Sequence, residues 1–472
     1  MIKILFAAFE ADPFVKTGGL GDVAGSLPAA VAASRQFDIR VILPKLSAIP
    51  KEYVEKMEFI TTFSVPLGWR NQYCGLFQLK HKGILYYFLD NEYYFRRGQI
   101  YGEFDDGERV AFFSKAILEA IPHLDGFIPD IIHANDWHTA LVPVFLNEQF
   151  IDIPEYSNIK TIFTIHNLKF QGKFSSVVIG DICGLHGTPA EGQLLSDSHT
   201  ANFLQGAAIY SDHITTVSPT YAEEICMPYY GEGLDWIFNM RRETLTGLLN
   251  GIDYKVWNPE KDPFIPTPFS AESLKDKTAN KLALQEELGL EVDAKIPLFV
   301  IISRLTEQKG LDLVNYLLPE FRKRPMQLAV LGVGDQEYEH ALAYYAGLDS
   351  KKFSANIRFD NGLSHRMYAG ADVMLVPSRF EPCGLTQMIA MRYGTLPLVR
   401  ETGGLKDTVH PDNGFSFLTF NADDMLYAVD CALDVFENHK KRWKGMQQKG
   451  MGLDFSWKAS AKEYRKLYKS LV

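Results

Sequence analysis

Short apolar runs alternate with segments of helical period along almost the whole chain, and no other feature limits the fold more. Residues 2–9, 39–43, 130–134, 160–165 and 212–217 have the length and β-branched content of buried strands, with a further β-rich stretch at 59–90. Between them, 22–34, 108–121 and 138–149 carry apolar residues at helical spacing. The same rhythm restarts with strands at 297–302, 326–331, 356–359, 372–376 and 395–399 and helices at 310–323, 336–345, 384–392, 423–436 and 456–471. Strands buried on both faces and separated by helices mean parallel sheets covered by helices, an α/β fold. At 472 residues the chain exceeds what one hydrophobic core normally serves. The break lies where Asn250-Gly251-Ile252-Asp253 makes a turn signal and residues 258–270 hold four prolines. We therefore expect a first domain at 1–250, a hinge at 251–270 and a second domain at 271–455, with a cleft between the domains as the place for a small ligand.

Charge narrows the partners. The formal net charge is −10, so the chain lacks the basic field of a non-specific nucleic-acid binder, and any phosphate site must be a local positive pocket. The five cysteines, Cys74, Cys183, Cys226, Cys383 and Cys431, are widely spaced with no C-x-x-C, which fits a reducing compartment and no zinc site. The apolar start Met1-Ile2-Lys3-Ile4-Leu5-Phe6 turns acidic by Glu10 and reads as a first strand rather than a signal peptide. No apolar run approaches the roughly 18 residues of a membrane span. Cytoplasmic is the expectation.

The chemistry is expected at strand ends, where open α/β sheets keep their sites. Lys16-Thr17-Gly18-Gly19-Leu20-Gly21-Asp22 follows the first strand and opens a helix. Glycines there let backbone N–H groups approach a phosphate and Lys16 adds a full charge; equally, the turn itself needs glycine. His133-Ala134-Asn135-Asp136-Trp137-His138 and Thr164-Ile165-His166-Asn167 end two further strands with polar groups. Arg304 and Lys309 stand after the first strand of the second domain, either as a diphosphate clamp or as two solvated surface charges. Ser378-Arg379-Phe380-Glu381-Pro382-Cys383-Gly384-Leu385-Thr386-Gln387 and Thr402-Gly403-Gly404 repeat the pattern, with a glutamate held between prolines. Gly332-x-Gly334 lacks the third glycine of a dinucleotide loop and indicates nothing alone. No Asp-x-Asp, H-E-x-x-H or G-x-S-x-G occurs, which argues against a metal–diphosphate carboxylate pair, a zinc hydrolase and a nucleophile-elbow hydrolase.

Taken in order, Lys16-Thr17-Gly18-Gly19, His166-Asn167, Asn250-Gly251-Ile252-Asp253, Arg304 with Lys309, and the run from Ser378 through Gln387 to Tyr393-Gly394 and Thr402-Gly403-Gly404 resemble bacterial glycogen synthases and plant starch synthases, the glucan synthases of glycosyltransferase family 5. Where related α-retaining transferases often carry a second glutamate, eight positions past the first, this chain has Ile389, as glucan synthases do. The resemblance implies the GT-B fold, two Rossmann-like domains facing across a cleft, with residues 456–472 as a helix crossing back to the first. It implies a retaining transfer of glucose from ADP-glucose to the non-reducing end of an α-1,4-glucan, with no metal or other cofactor and no nucleic-acid or membrane partner. Asp136, His166, Arg304, Lys309 and Glu381 become the catalytic candidates. Lys16, Gly18, Gly19, Asp22, Asn167, Asn250, Ser378, Cys383, Gly384, Leu385, Thr386, Thr402, Gly403 and Gly404 are implied to line the donor, with Phe359 against the base. Glu10, Trp137 and His138 are implied for the acceptor. Phe359 stands where bacterial relatives can carry tyrosine. Two other readings stay open: a related transferase using UDP- or GDP-sugar and another acceptor, and a catalytically silent glucan-binding protein.

Overall fold

The computed structural model describes residues 1–472, which divide into two compact units. The first comprises Met1–Val217, Ala222–Gly251 and Trp457–Val472; the second comprises Ser218–Tyr221 and Ile252–Ser456.

The first unit is built on β1 (Ile2–Ala7), β2 (Phe37–Pro44), β3 (Glu58–Leu67), β4 (Arg70–His81), β5 (Ile84–Asp90), β6 (Ile131–Asn135), β7 (Lys160–Ile165), β8 (Lys173–Ser175), β9 (Leu195–Asp197), β10 (Thr200–Asn202), β11 (His213–Thr216) and β12 (Leu245–Gly247). Nine of these form one sheet in the order β12-β11-β7-β6-β1-β2-β5-β4-β3. The pairs from β12 through β5 are parallel, and β4 and β3 add an antiparallel edge. Ile4, Leu5 and Phe6 of β1 are fully buried, as a central parallel strand covered on both faces requires. β8, β10 and β9 make a separate small sheet that the apolar rhythm does not reveal, because each strand has only three residues.

Helix Gly19–Ala32 covers the sheet with Val23, Leu27 and Val31 turned inward. Helix Trp457–Leu471 also belongs to this unit, with Trp457, Ala461, Tyr464 and Tyr468 along its buried stripe. It is pinned by the Tyr468 hydroxyl, 2.8 Å from His133 Nδ1, and by Arg465, whose Nε donates to the Val31 carbonyl at 3.2 Å. The helix expected at 138–149 is broken into a 3₁₀ turn Trp137–Thr139, an α turn Leu141–Phe145 and a π turn Leu146–Phe150. Pro143 stands in the first turn of the middle piece, where its missing N–H costs little.

The second unit carries β13 (Leu298–Ile302), β14 (Gln327–Leu331), β15 (Phe353–Asn356), β16 (Val373–Val376), β17 (Leu396–Arg400) and β18 (Phe415–Phe417). Their order is β15-β14-β13-β16-β17-β18, all parallel. In local numbering this is 3-2-1-4-5-6, the Rossmann order. Phe299 and Ile301 of β13 pack with Leu317 and Phe321 of helix Leu311–Lys323 and with Val429 and Leu433 of helix Ala422–Asn438.

Three boundaries differ from expectation. Residues 252–270 pack as part of the second unit rather than as a free hinge. There Asp262 accepts from His365 Nδ1 at 2.7 Å and from the Tyr393 hydroxyl, and Trp257 stacks on His365. Residues 218–221, expected in the first domain, belong to the second unit: Ser218 Oγ donates to the Pro382 carbonyl at 2.6 Å, and Thr220 donates twice to Asp407. The strand expected at 356–359 ends at Asn356, because its partner β14 ends at Leu331, opposite Asn356. No helix is long and apolar enough to cross a membrane.

Candidate active site

Strand order locates one half-site in each unit. In the first, β1 has β2 on one side and β6 on the other, so the order reverses between β1 and β6 and their carboxyl ends open a crevice. Glu10 follows β1, is 4% exposed, and receives Thr17 N–H together with the Thr17 hydroxyl at 2.9 Å. Burial raises its pKa; the Thr17 hydrogen bonds oppose the rise. Lys16 reaches Asp22 Oδ1 at 2.5 Å. Burial raises the Asp22 pKa against the pull of Lys16.

Packing explains some of these glycines and not others. A Cβ on Gly21 would lie 3.0–3.2 Å from Lys16, whereas one on Gly18 or Gly19 would meet nothing within 4 Å. Gly18 is extended at φ −163° and caps the helix without any side-chain bond. Neither Gly18 nor Gly19 is required by the protein around it, and the space above them is open.

After β6, Asp136 adopts φ +56°, a conformation that costs a non-glycine residue energy and must be held by its surroundings. The hold is visible: Asp136 N–H donates to the Thr164 carbonyl at 2.9 Å, and its Oδ1 accepts the His166 N–H at 2.7 Å. Burial pushes its pKa up to about 7, against the lowering effect of the His166 and Asn167 N–H groups. His166 Nε2 lies 3.0 Å from Asn135 Oδ1, so β6 and β7 jointly orient the ring. Burial pushes the pKa of His166 down to about 3, as it does for His138 and for His133 beneath them. All three imidazoles are neutral at ordinary pH. His138 clusters with Tyr101, 4.6 Å away, and Phe9, 5.2 Å away, which lie 5.8 Å from each other, with Trp137 alongside. Asn250, beyond β12, is buried and its Oδ1 has no partner.

In the second unit the order reverses between β13 and β16. Arg304 follows β13, is exposed, and has no carboxylate partner. Lys309 stands in the turn Glu307–Lys309, and its Nζ reaches Glu381 Oε2 at 2.6 Å. Glu381, in the loop after β16, is 7% exposed and also accepts from Ser378 Oγ at 3.0 Å. Gly310, at φ +75°, lets this turn lie against the Pro377 carbonyl, 2.1 Å from where a Cβ would be. Gly403, at φ +43°, similarly lies against the Glu381 carbonyl, and Gly404 N–H donates to that oxygen at 3.2 Å. Thr402–Gly404 is thereby locked to the loop carrying Glu381. Cys383 is buried there, Gly384 takes φ +73°, and Leu385 precedes the helix Thr386–Arg392.

Phe359 is the outlier. It lies in the loop beyond β15, 91% exposed, and stacks on no other ring. Several residues with a part in the geometry stand outside the expected site residues. Tyr101 sits against His138, its hydroxyl beside Glu10, from a loop with no motif. Gln387 ties the 383–384 turn by donating to the Cys383 and Gly384 carbonyls at 3.1 and 2.8 Å. Gly332 and Gly334 turn out to be required by close approach: a Cβ on either would be 1.9–2.1 Å from the Ser303 or Leu305 carbonyl, on the segment that carries Arg304.

A family model described as the starch synthase catalytic domain matches residues 3–240, and one described as glycosyl transferases group 1 matches residues 286–445. The glycogen synthase of Desulfitobacterium hafniense is 50% identical, with 100% of this chain and 99% of the relative covered. That of Clostridium perfringens is 48% identical at the same coverage. The chain belongs to the glycogen and starch synthase family. Among solved structures, the catalytic domain of starch synthase IV from Arabidopsis thaliana, bound to ADP and acarbose, superposes with a TM-score of 0.89 at 33% identity, covering 100% of this chain and 99% of that one. Sucrose-phosphate synthase from Thermosynechococcus elongatus superposes with a TM-score of 0.62 at 18% identity over 100% and 99%, a likeness of fold alone. The architecture is GT-B, and membership of the glycogen synthases makes the chain a glucan-extending glycosyltransferase.

Proposed function

We propose that the chain transfers glucose from ADP-glucose to the non-reducing end of an α-1,4-glucan, with retention at the anomeric carbon and without a metal or other cofactor, in the cytoplasm. The observation that carries the reading is the Arg304, Lys309, Ser378 and Glu381 cluster at the point where the strand order of the second unit reverses. Breaking a glycosyl–phosphate bond puts positive charge on the sugar ring and negative charge on the departing diphosphate. Arg304, having no carboxylate partner, and Lys309 supply fixed cations for that diphosphate, and preorganised charges stabilise a transition state without reorganising. Lys16 and the open backbone at Gly18 and Gly19 add to the phosphate side. Glu381, anchored by Lys309 and Ser378, accepts from the glucose hydroxyls. The neutral His166 imidazole and the buried Asp136 carboxyl hold the transferring sugar together with Asn250, whose unpaired Oδ1 calls for a donor. Glu10, Trp137 and His138 receive the acceptor. Adenine as the base draws its support from the plant starch synthase solved with ADP.

The test is incubation with glycogen and ADP-glucose, UDP-glucose or GDP-mannose, scoring nucleotide release and polymer growth, with and without EDTA. The expected result is growth with ADP-glucose, unchanged by EDTA, giving a polymer fully digested by an α-1,4-specific amylase. Faster growth with UDP-glucose would overturn the donor. Loss of activity in EDTA would overturn the metal-free reading. Glucan binding with no nucleotide release from any donor would favour the silent binder.

A further inference from the structure

A neutral imidazole carries its proton on one ring nitrogen only, and which one decides whether the ring offers a ligand a donor or a lone pair. Of the three neutral histidines near the ends of β6 and β7, the hydrogen bonds fix this in one. His133 has Nδ1 2.8 Å from the Tyr468 hydroxyl and Nε2 2.6 Å from the Thr164 hydroxyl; hydroxyls donate or accept, so both tautomers fit. His138 Nδ1 is buried with no partner, which leaves its tautomer open as well. His166 differs: its Nε2 lies 3.0 Å from Asn135 Oδ1, an atom that only accepts.

The Asn135 amide is not free to turn over. Its Nδ2 donates to the Ala7 carbonyl at 3.0 Å and to the His133 carbonyl at 3.2 Å. A flipped amide would set its oxygen against two carbonyl oxygens in a place that water does not reach, since Asn135 is fully buried. The backbone of Asn135 is fastened too, with Thr139 Oγ1 accepting its N–H at 2.6 Å and donating to its carbonyl at 2.9 Å. Oδ1 therefore faces His166, and the proton of that ring sits on Nε2. The backbone N–H of His166 is held by Asp136 Oδ1 at 2.7 Å, so the whole residue is fixed. Nδ1 is left bare. It meets no protein group, and the ring is half-buried, so this lone pair is open to a ligand.

A lone pair at that point suits the chemistry better than an N–H. Positive charge grows on the sugar ring as the glycosyl–phosphate bond breaks, and the sugar hydroxyls become stronger donors. A hydrogen bond from such a hydroxyl to a fixed acceptor strengthens on the way to the transition state, and only interactions of that kind raise turnover. An N–H in the same place would find the hydroxyl oxygen losing electron density and would weaken instead.

We propose that Asn135 is a positioning residue that fixes His166 as the Nε2–H tautomer, so that His166 Nδ1 accepts a hydrogen bond from a hydroxyl of the transferring glucose. The proposal rests on His166 facing that glucose, as given above.

The experiment labels the histidine nitrogens of the full-length enzyme and reads the tautomers by NMR near neutral pH, with the His166 signals identified by their loss in His166→Asn. Turnover with ADP-glucose and glycogen is measured in wild type, Asn135→Leu, His166→Asn and the double variant. In wild type, His166 should show a bare Nδ1 and a protonated Nε2. In Asn135→Leu it should show a mixture of tautomers, with kcat lower by about tenfold and KM for glycogen unchanged. An asparagine at 166 presents its own amide oxygen where Nδ1 stood and has no tautomer to fix, so Asn135→Leu should add no further loss in that background. A proton on Nδ1 in the wild-type spectrum overturns the proposal, and that spectrum decides the tautomer even if Asn135→Leu does not fold. An equal loss of kcat from Asn135→Leu in both backgrounds also overturns it, because Asn135 then serves only the fold. Absence of glucosyl transfer in the wild type would instead refute the functional reading, with the tautomer still decided by the spectrum.

Discussion

Replacing Lys309 by alanine removes one partner of the ion pair with Glu381 and leaves a carboxylate that is only 7% exposed. At 2.6 Å, two unit charges in surroundings of effective dielectric about 20 attract by about 6 kcal/mol before desolvation is counted. Burial of the pair costs most of that. Breaking fully buried pairs costs about 3–5 kcal/mol, and exposed pairs are worth about 0–1 kcal/mol. The Lys309 side chain is 20% exposed and Ser378 keeps one hydrogen bond to the stranded carboxylate, so about 2 kcal/mol is the expected loss. In a domain of this size that lowers Tm by about 4–8 °C. Turnover should fall further, by about 10²–10³, if Lys309 also meets the diphosphate. The two effects separate in the double variant Lys309→Met/Glu381→Gln, which restores an uncharged pair of similar volume. Its Tm should recover most of the loss while its kcat stays low. Recovery of turnover in the double variant, or Lys309→Ala retaining more than about a third of wild-type kcat, would show that Lys309 serves only to hold Glu381.

Gly403→Ala places a methyl 2.0 Å from the Glu381 carbonyl at φ +43°, so it should cost about 2–4 kcal/mol and misplace the loop, read as a lower Tm and lower kcat together. Gly18→Ala meets nothing within 4 Å; its Tm should match wild type while kcat/KM for the donor falls at least about tenfold, and an unaffected kcat/KM would remove the donor from that loop. Acid should destabilise the first unit: His133, His138 and His166 have folded pKa values near 3, so below the usual value of about 6.5 the unfolded chain takes up protons that the folded one refuses, at up to about 1.4 kcal/mol per pH unit for each ring. Asp136 acts oppositely, since its folded pKa near 7 lets the folded state keep a proton that the unfolded carboxyl releases down to about pH 4. Urea midpoints should therefore drop between pH 6.5 and 4, more steeply in Asp136→Asn, and a flat profile would show these rings are not held neutral.

The loops of the candidate site were legible because each carries its signal within about ten residues: a strand, then glycine or charge, then a helix. Lys16 to Asp22, Asp136 to His138, and Ser378 to Thr386 are such runs. Tyr101 was not legible, since what matters about it is a partner distant in sequence. The prolines at 258–270 suggested a hinge because proline marks loops; they do not reveal that Asp262 is committed to His365 and Tyr393, about a hundred residues and more away. Phe359 was implied for the base by the resemblance alone; what the sequence did not show is that the strand expected to reach it stops three residues earlier, at Asn356, because its neighbour does.

What the sequence determined by itself is periodicity and local backbone chemistry: which segments are buried strands, which cover them, and which turns need glycine, because these follow from neighbours along the chain. The tertiary structure decided the rest. Strand order put the Arg304 and Glu381 loops side by side at one reversal and those of Glu10 and Asp136 at another. Pairing Lys309 with Glu381, keeping three histidines neutral and raising Asp136 all require groups far apart in sequence to share one dry environment. Charge and protonation depend on that environment, and burial is a property of the folded volume that no local stretch of residues contains.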